Sequence, residues 1–304
     1  MNMRSPVELK AVSHPPPQPQ DSQEPRLVDR SIGDFIGELR QLSDAQIEQV
    51  LAYQRKHGVR FGEAAVALTL ATREDVMWAL SKQFHYPYAS GDGARFNPEL
   101  VAAIDPFNPQ TEAFRGIRSQ LMMGPMAADQ PKRALALLSP DTGDGKTFFA
   151  ANLAIVFSQL GAKTLLIDAD MRTPRQHQLF DIPHETGLSS VLSGRAEANV
   201  VRPVPDLPSL FVMPVGAVPP NPLELLQRPA FGLLVHELLA KFDHVIVDTP
   251  ASIYGADSRV LASKCGLAMV VARRSVSRMK SVHGLVSEIT RGAVQFAGMV
   301  VNEH

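Results

Sequence analysis

A single cysteine, Cys265, is all that the 304-residue chain contains. No internal disulfide framework is available, and such usage fits a reducing cytoplasm. Net charge is just as scarce, because 30 Lys and Arg against 31 Asp and Glu leave −1. Nucleic acid and anionic lipid both require clustered positive charge, so no nucleic-acid partner is expected. Long apolar runs are missing too. The stretch FFAANLAIVF (148–157) falls well short of the roughly eighteen residues that a membrane span needs. The opening MNMRSPVELK has no apolar core of a signal peptide, so a cytoplasmic protein is expected, brought to a membrane only by a partner. What remains is an ordinary globular composition, 45% hydrophobic and 20% charged, long enough for roughly two domains.

Residues 1–30 carry Pro6, Pro15, Pro16, Pro17, Pro19 and Pro25 among Gln, Ser and Glu. Such a stretch buries too little apolar surface to offset its chain entropy and reads as a disordered tail. Residues 31–90 read as a helical module built on an internal repeat. SIGDFIGELRQLSDAQIEQVLAYQ (31–54) aligns with RFGEAAVALTLATREDVMWALSKQ (60–83) at a constant offset of 29. Each copy holds Gly at its third position (Gly33, Gly62) and a short apolar helix. A capping Ser43 or Thr72 then opens a second helix of apolar period 3.6. Leu51 and Leu80 are expected at matching core positions. This module resembles the N-terminal domain of type II secretion and pilus ATPases, whose relatives include cyclic di-GMP binders. The ligand-binding form has Arg at the first and Gly at the tenth position of each copy. Here Arg60 matches, but Ser31 replaces the other Arg, and Arg40 and Thr69 replace the glycines. A side chain there blocks close backbone approach. Protein docking or a structural role is therefore the favoured reading, and cyclic di-GMP binding the minority one.

Residues 91–110, rich in Gly, Pro and Asp, read as a linker in which NPELVAAI forms at most one short helix. From 111 to 304 helical segments alternate with apolar runs: ALALL (134–138), KTLLID (163–168), SLFVMPV (209–215), HVIVD (244–248), GLAMVVA (266–272) and FAGMVV (296–301). Runs without alternation are strands buried on both faces. With helices between them they predict an α/β fold, a doubly wound and mostly parallel sheet.

Three of these strands end in chemistry. ALALL leads into SPDTGDGKT and the helix FFAANLAIVFSQL, a strand–loop–helix in which backbone N–H groups from Gly143 to Thr147 would wrap a phosphate. Lys146 would bridge the outer phosphates and the Thr147 hydroxyl would bind Mg2+. The general pattern wants Gly where this chain has Pro140, so a plain Gly-rich turn is the rival reading of the loop alone. TLLIDADMRTP sets Asp168 and Asp170 at the end of a second strand, and FDHVIVDTP sets Asp248 at a third. Residues two apart on a strand point the same way, so Asp168 and Asp170 are expected to face one site. Three acids converging on a GKT loop call for Mg2+ and phosphate to neutralise them.

The spacing of SPDTGDGKT, LLIDADMRTP and HVIVDTP resembles the bacterial tyrosine kinases, and more narrowly the chain-length-determinant kinases of polysaccharide export of the EpsG type. EAFRGIRSQL (112–121) resembles that family's oligomerisation motif through Glu112, Arg115 and Arg118, which share one helix face. PPNPLELLQ (219–227) matches a further family element. The resemblance covers roughly residues 106–304. It implies a P-loop fold and ATP with Mg2+ as cofactors, with Thr142, Gly143, Asp144, Gly145, Lys146, Thr147 and Phe148 around the nucleotide. It implies Thr147, Asp168 and Asp248 on the metal, and Asp170 as the base for a tyrosine hydroxyl. Lys146 and Arg172 join Asp170 as catalytic residues, Arg172 alternatively serving a structural salt bridge. Asn302 either reads the base or caps its strand. The implied partners are further copies of the chain and an integral-membrane polysaccharide chain-length determinant. The sequence stops at VVNEH without the family's tyrosine-rich tail, so tail autophosphorylation is not expected. The four tyrosines are Tyr53, Tyr86, Tyr88 and Tyr254. The alternatives to a kinase are a dimerisation switch like the partitioning ATPases and a non-catalytic ATP-binding adaptor. The switch relatives carry an extra lysine near Ser139, Pro140 and Asp141, and this chain does not.

Overall fold

The structure is a computed structural model, and it describes residues 30–83, 96–195 and 200–303. Residues 1–29 of the predicted tail, Tyr86, Tyr88 and residues 91–95 of the predicted linker lie outside the described residues.

Four helices form the repeat module: α1 (Ile32–Arg40), α2 (Asp44–His57), α3 (Phe61–Ala67) and α4 (Arg73–Gln83). Their starts follow from local chemistry. Ser31 and Ser43 each close a capping box, with Asp34 and Gln46 as the reciprocal partners. Thr72 and Asp75 exchange the equivalent pair of bonds ahead of α4. The core of the module holds Ile36 and its repeat mate Ala65, and Val50 and its mate Ala79, all at 0% exposure. Leu51, expected inside, is instead 41% exposed, and Leu80 is half-buried. The inward face of each second helix begins one residue earlier. A 100° step per residue turns the neighbour of a buried position out of the interface.

The rest of the described chain surrounds a seven-stranded sheet in the order β3-β4-β2-β5-β1-β6-β7. The strands are β1 (Ala134–Leu138), β2 (Thr164–Asp168), β3 (Arg202–Val204), β4 (Leu207–Met213), β5 (His244–Asp248), β6 (Gly266–Arg273) and β7 (Gln295–Asn302). All neighbours run parallel except β3 with β4. The doubly wound, mostly parallel α/β expectation is borne out. β3 was not foreseen from sequence, since three residues centred on Pro203 carry no strand signal.

Helices cover both faces. α5 (Val101–Ile104), α6 (Pro109–Met123), α7 (Lys146–Ser158) and α8 (Gln176–Leu179) contribute to one apolar layer. α9 (Leu188–Leu192), α10 (Pro222–Gln227), α11 (Pro229–Lys241), α12 (Asp257–Cys265) and α13 (Met279–Thr290) contribute to the other. β1 shows why its run is apolar throughout. Leu135 and Leu137 enter the first layer, while Ala134, Ala136 and Leu138 enter the second. The predicted linker needs correction, because Leu100, Ala102 and Ala103 are buried in the first layer. Asn152 of α7 ties them down, taking a bond from the Ala102 N–H (2.9 Å) and donating to the Glu99 carbonyl (2.8 Å).

Candidate nucleotide site

β1 leaves the sheet between β5 and β6, at the carboxyl edge where open α/β sheets bind ligands. The Ser139 and Pro140 carbonyls accept bonds from Ser252 and Ile253 (2.9 and 3.1 Å). The loop then turns through Gly143 at φ 79° and Gly145 at φ 94°, conformations that favour glycine. At Gly145 space is the stricter limit, since a Cβ there would stand 2.1 Å from the Asn302 Nδ2. The missing N–H of Pro140 costs little in a strand exit that uses its carbonyl. Lys146 opens α7, and its buried ammonium donates to the Ser139 hydroxyl at 2.9 Å.

A cleft lies over this loop, lined by Thr142, Gly143, Gly145, Lys146, Thr147, Phe148 and Asp170, with Thr173 and Arg175 at its side. Asp144 and Asn302 are not part of this lining. The Asp144 carboxylate accepts from the Asp141 N–H (3.0 Å) and the Ser277 hydroxyl (2.7 Å). Asn302 donates to the Asp144 carbonyl at 3.3 Å. Both brace the loop.

Asp168 and Asp170, expected to face one site, make different contacts. β2 ends at Asp168 and the chain turns immediately, so strand alternation no longer applies. Asp168 is fully buried and spends its carboxylate on backbone N–H groups, one from Asp170 (3.1 Å) on Oδ1, and those of Arg175 (3.1 Å) and Gln176 (3.0 Å) on Oδ2. Asp170 alone reaches the cleft, with Arg172 and Thr173 N–H groups on Oδ1 and the Thr173 hydroxyl on Oδ2 at 2.9 Å. The first carboxylate shapes the loop, and the second, itself nearly buried, lines the cleft.

Asp248 lies across from Asp168 and is equally buried. Burial, and then the facing Asp248, hold the Asp168 carboxyl well above the usual carboxylate range. Burial also pushes Asp248 up to about 6, opposed by the Lys146 ammonium and by bonds from Gln176 and the Thr147 hydroxyl. The Gln176 Nε2 donates to both the Asp248 Oδ2 (2.9 Å) and the Thr147 carbonyl (3.1 Å). Asp248 Oδ1 and Gln176 Oε1 are buried without a protein partner. Buried acceptors of this kind call for a donor or a cation. The Thr147 hydroxyl and Asp248 therefore fit Mg2+ with its water shell, which needs few protein ligands when phosphate supplies others. Among the described residues no group of three or more His, Cys, Asp or Glu side chains is arranged to hold a metal by itself.

Arg172 pairs with Asp257, donating to both carboxylate oxygens (3.1 and 3.2 Å), and lies 5.8 Å from the Tyr254 ring centre. Of its two sequence-level readings, the salt bridge is the arrangement present. On α6, Arg115 pairs with Glu112 at 2.9 Å, while Arg118 turns inward to donate to the Val156 carbonyl at 2.5 Å. Only Glu112 of the three stands well out in solvent, its side chain 71% exposed against 17% for Arg115. Gln176, Thr173 and Arg175 were not singled out from sequence. An amide that bridges a buried strand end and the start of a helix has no spacing rule to reveal it.

Residues 135–304 match the family model of the CobQ/CobB/MinD/ParA nucleotide binding domain, and the chain belongs to that family. Several of the relatives it is most similar to in sequence are named as kinases. Tyrosine-protein kinase wzc of Salmonella typhimurium is 35% identical over 205 residues, which is 67% of this chain and 28% of wzc. Tyrosine-protein kinase YwqD of Bacillus subtilis is 35% identical over 171 residues, 56% of this chain and 71% of YwqD. The kinase domain of Escherichia coli tyrosine kinase ETK superposes with a TM-score of 0.63 at 32% identity, over 67% of this chain and 79% of that domain. The chain is a member of the bacterial tyrosine-protein kinase family, as its motifs implied, and spans little more than a quarter of wzc. Among the described residues no helix is long and apolar enough to cross a membrane.

Proposed function

We propose that the chain is an ATP-dependent protein tyrosine kinase, acting with a membrane chain-length determinant to regulate polysaccharide export. The observation that carries this reading is Asp170, a nearly buried carboxylate lining the same cleft as Lys146 and Thr147. Phosphoryl transfer needs positioning and charge neutralisation more than covalent help. The loop N–H groups from Gly143 to Thr147 hold the phosphates, and Lys146 exchanges its Ser139 bond for the outer phosphate oxygens. Thr147 and Asp248 would hold Mg2+, Asp168 acting through the loop it orders; the ion neutralises phosphate charge. Asp170 takes the proton of the attacking tyrosine hydroxyl, while Thr173 fixes its orientation. Arg172 positions the Asp170 loop through Asp257. Asn302 and Asp144 set loop shape, and reading the base is the further role proposed for Asn302. Self-association is proposed to run through α6, as its Glu112, Arg115 and Arg118 motif implies, with Glu112 the group offered outward.

The helical module is read as a docking element. Arg40 forms an ion pair with Asp75 at 2.7 Å, so cyclic di-GMP would have to displace it, and titration with that ligand should release no heat at micromolar concentration.

Labelled ATP and Mg2+ with the purified chain test the main reading, with and without the cytoplasmic segment of a candidate membrane partner. Phosphotyrosine that disappears in Lys146→Met and Asp170→Asn variants supports a kinase. Phosphate release without protein labelling would instead mark a switch, and nucleotide binding with neither would mark an adaptor.

A further inference from the structure

The cleft carries two cations, and only one has a family role. Lys146 is buried and anchored inside the loop. Arg175 stands at the side of the cleft with its side chain 46% exposed, and pairs with Glu99 at 2.6 Å. The pair differs from that of Arg172, whose partner Asp257 is 2% exposed. A carboxylate so deeply buried holds its cation firmly, because breaking the pair strands a charge away from water. Glu99 is 39% exposed and can be released to solvent at little cost, since exposed ion pairs are weak and screened.

Both ends of the Arg175–Glu99 pair are fixed at the backbone. The Arg175 N–H bonds Asp168 (3.1 Å), and the Glu99 carbonyl accepts from Asn152 of α7 (2.8 Å). The side chains remain the movable part. A guanidinium at the mouth of a phosphate cleft, matched to an anion it can leave, has the geometry of a charge exchange. We propose that Arg175 is a ligand of the terminal phosphate, and that Glu99 is the anion it leaves when a nucleoside triphosphate binds. The pair then sets the preference for triphosphate over diphosphate. Guanidinium suits this role because its fork can bind two phosphate oxygens at once. The inference rests on the nucleotide reading of the cleft and extends it to a residue with no motif.

The test is calorimetric titration of the full chain, with Mg2+, using β,γ-imido-ATP and ADP as separate probes. Arg175→Ala should weaken the imido analogue about tenfold, the size of a lost charged hydrogen bond, and move ADP by less than about twofold. The variant keeps the backbone bond to Asp168, so the loop stays in place. Glu99→Gln should tighten the imido analogue by about two- to fivefold, because the competing anion is removed. The double variant should behave as Arg175→Ala. Opposite signs for the two halves of one salt bridge are the signature, because a merely structural pair would weaken binding from either side. Equal loss for both nucleotides in Arg175→Ala, or weaker binding in Glu99→Gln, overturns the inference while leaving the nucleotide site intact. If the unaltered chain binds neither nucleotide, the cleft reading and this inference fall together.

Discussion

Asp168 and Asp248 are register partners on the parallel strands β2 and β5, both essentially excluded from solvent, and the Ala169 N–H closes the ladder onto the Asp248 carbonyl at 2.9 Å. Two acids so placed repel each other, and the fold tolerates them through Gln176, Lys146 and the Asp168 backbone bonds. A carboxyl raised to about 6 from an ordinary value near 4 keeps its proton longer in the folded chain than in the unfolded one. Over that window the native state binds more protons, so stability falls as pH rises and returns as pH is lowered. The metal-free, nucleotide-free chain should therefore unfold at a higher Tm at pH 5.5 than at pH 7.5. Asp248→Asn should stabilise the fold at pH 7.5 by on the order of 1–3 kcal/mol, read as a higher Tm, and flatten the dependence. Scanning calorimetry in EDTA across that pH range decides it.

Gln176→Leu keeps the volume but leaves the Thr147 carbonyl and Asp248 Oδ2 without their donor. A loss of about 1–3 kcal/mol is expected, together with a smaller gain in nucleotide affinity on adding Mg2+. Gln176→Glu adds a third buried acid and should cost more at pH 7.5 than at pH 5.5. An unchanged response to Mg2+ in both variants would remove Gln176 from the site.

Gly145→Ala meets two obstacles, a positive φ and the nearby Asn302 amide. Affinity for nucleotide should fall at least about tenfold, by strain of about 1–3 kcal/mol placed in the loop. Adding Asn302→Ala relieves the contact but not the φ, so the double variant should recover only part of the loss by calorimetry.

In the repeat module, a Cβ on Gly62 would lie 2.6 Å from the Val76 Cγ1. Gly62→Ala should destabilise the module by about 1–3 kcal/mol, and Val76→Ala should restore part of it. Trp78 is the chain's sole tryptophan and lies in α4, so its fluorescence during thermal unfolding follows this module.

Much of this was legible in the chain. Apolar runs of uniform character announce strands covered on both sides, and six were placed within a few residues. Asp168 and Asp248 were found because strand ends are visible in sequence. Their differing duties with Asp170 were not, because the turn that begins after Asp168 is set by tertiary bonds to Arg175 and Gln176. The one-residue error at Leu51 has a related cause. Two adjacent apolar residues, Val50 and Leu51, satisfy a helical period almost equally, and only packing against the neighbouring helix separates them. Residues 97–104 read as a short helix within a linker because the chain around them is rich in Gly, Pro and Asp, yet Asn152, fifty residues beyond Ala102, draws them into the core.

Ser277 and Asn302 hold Asp144 across 133 and 158 positions of chain. During vectorial synthesis the loop and α7 emerge long before either brace exists. A nascent chain that has reached β6 owns the lysine, the threonine and all three strand-end acids, but not the clasp that shapes their cradle. The braced form of the loop therefore awaits the pairing of residues 295–302, and the full affinity for nucleotide is expected only after that step.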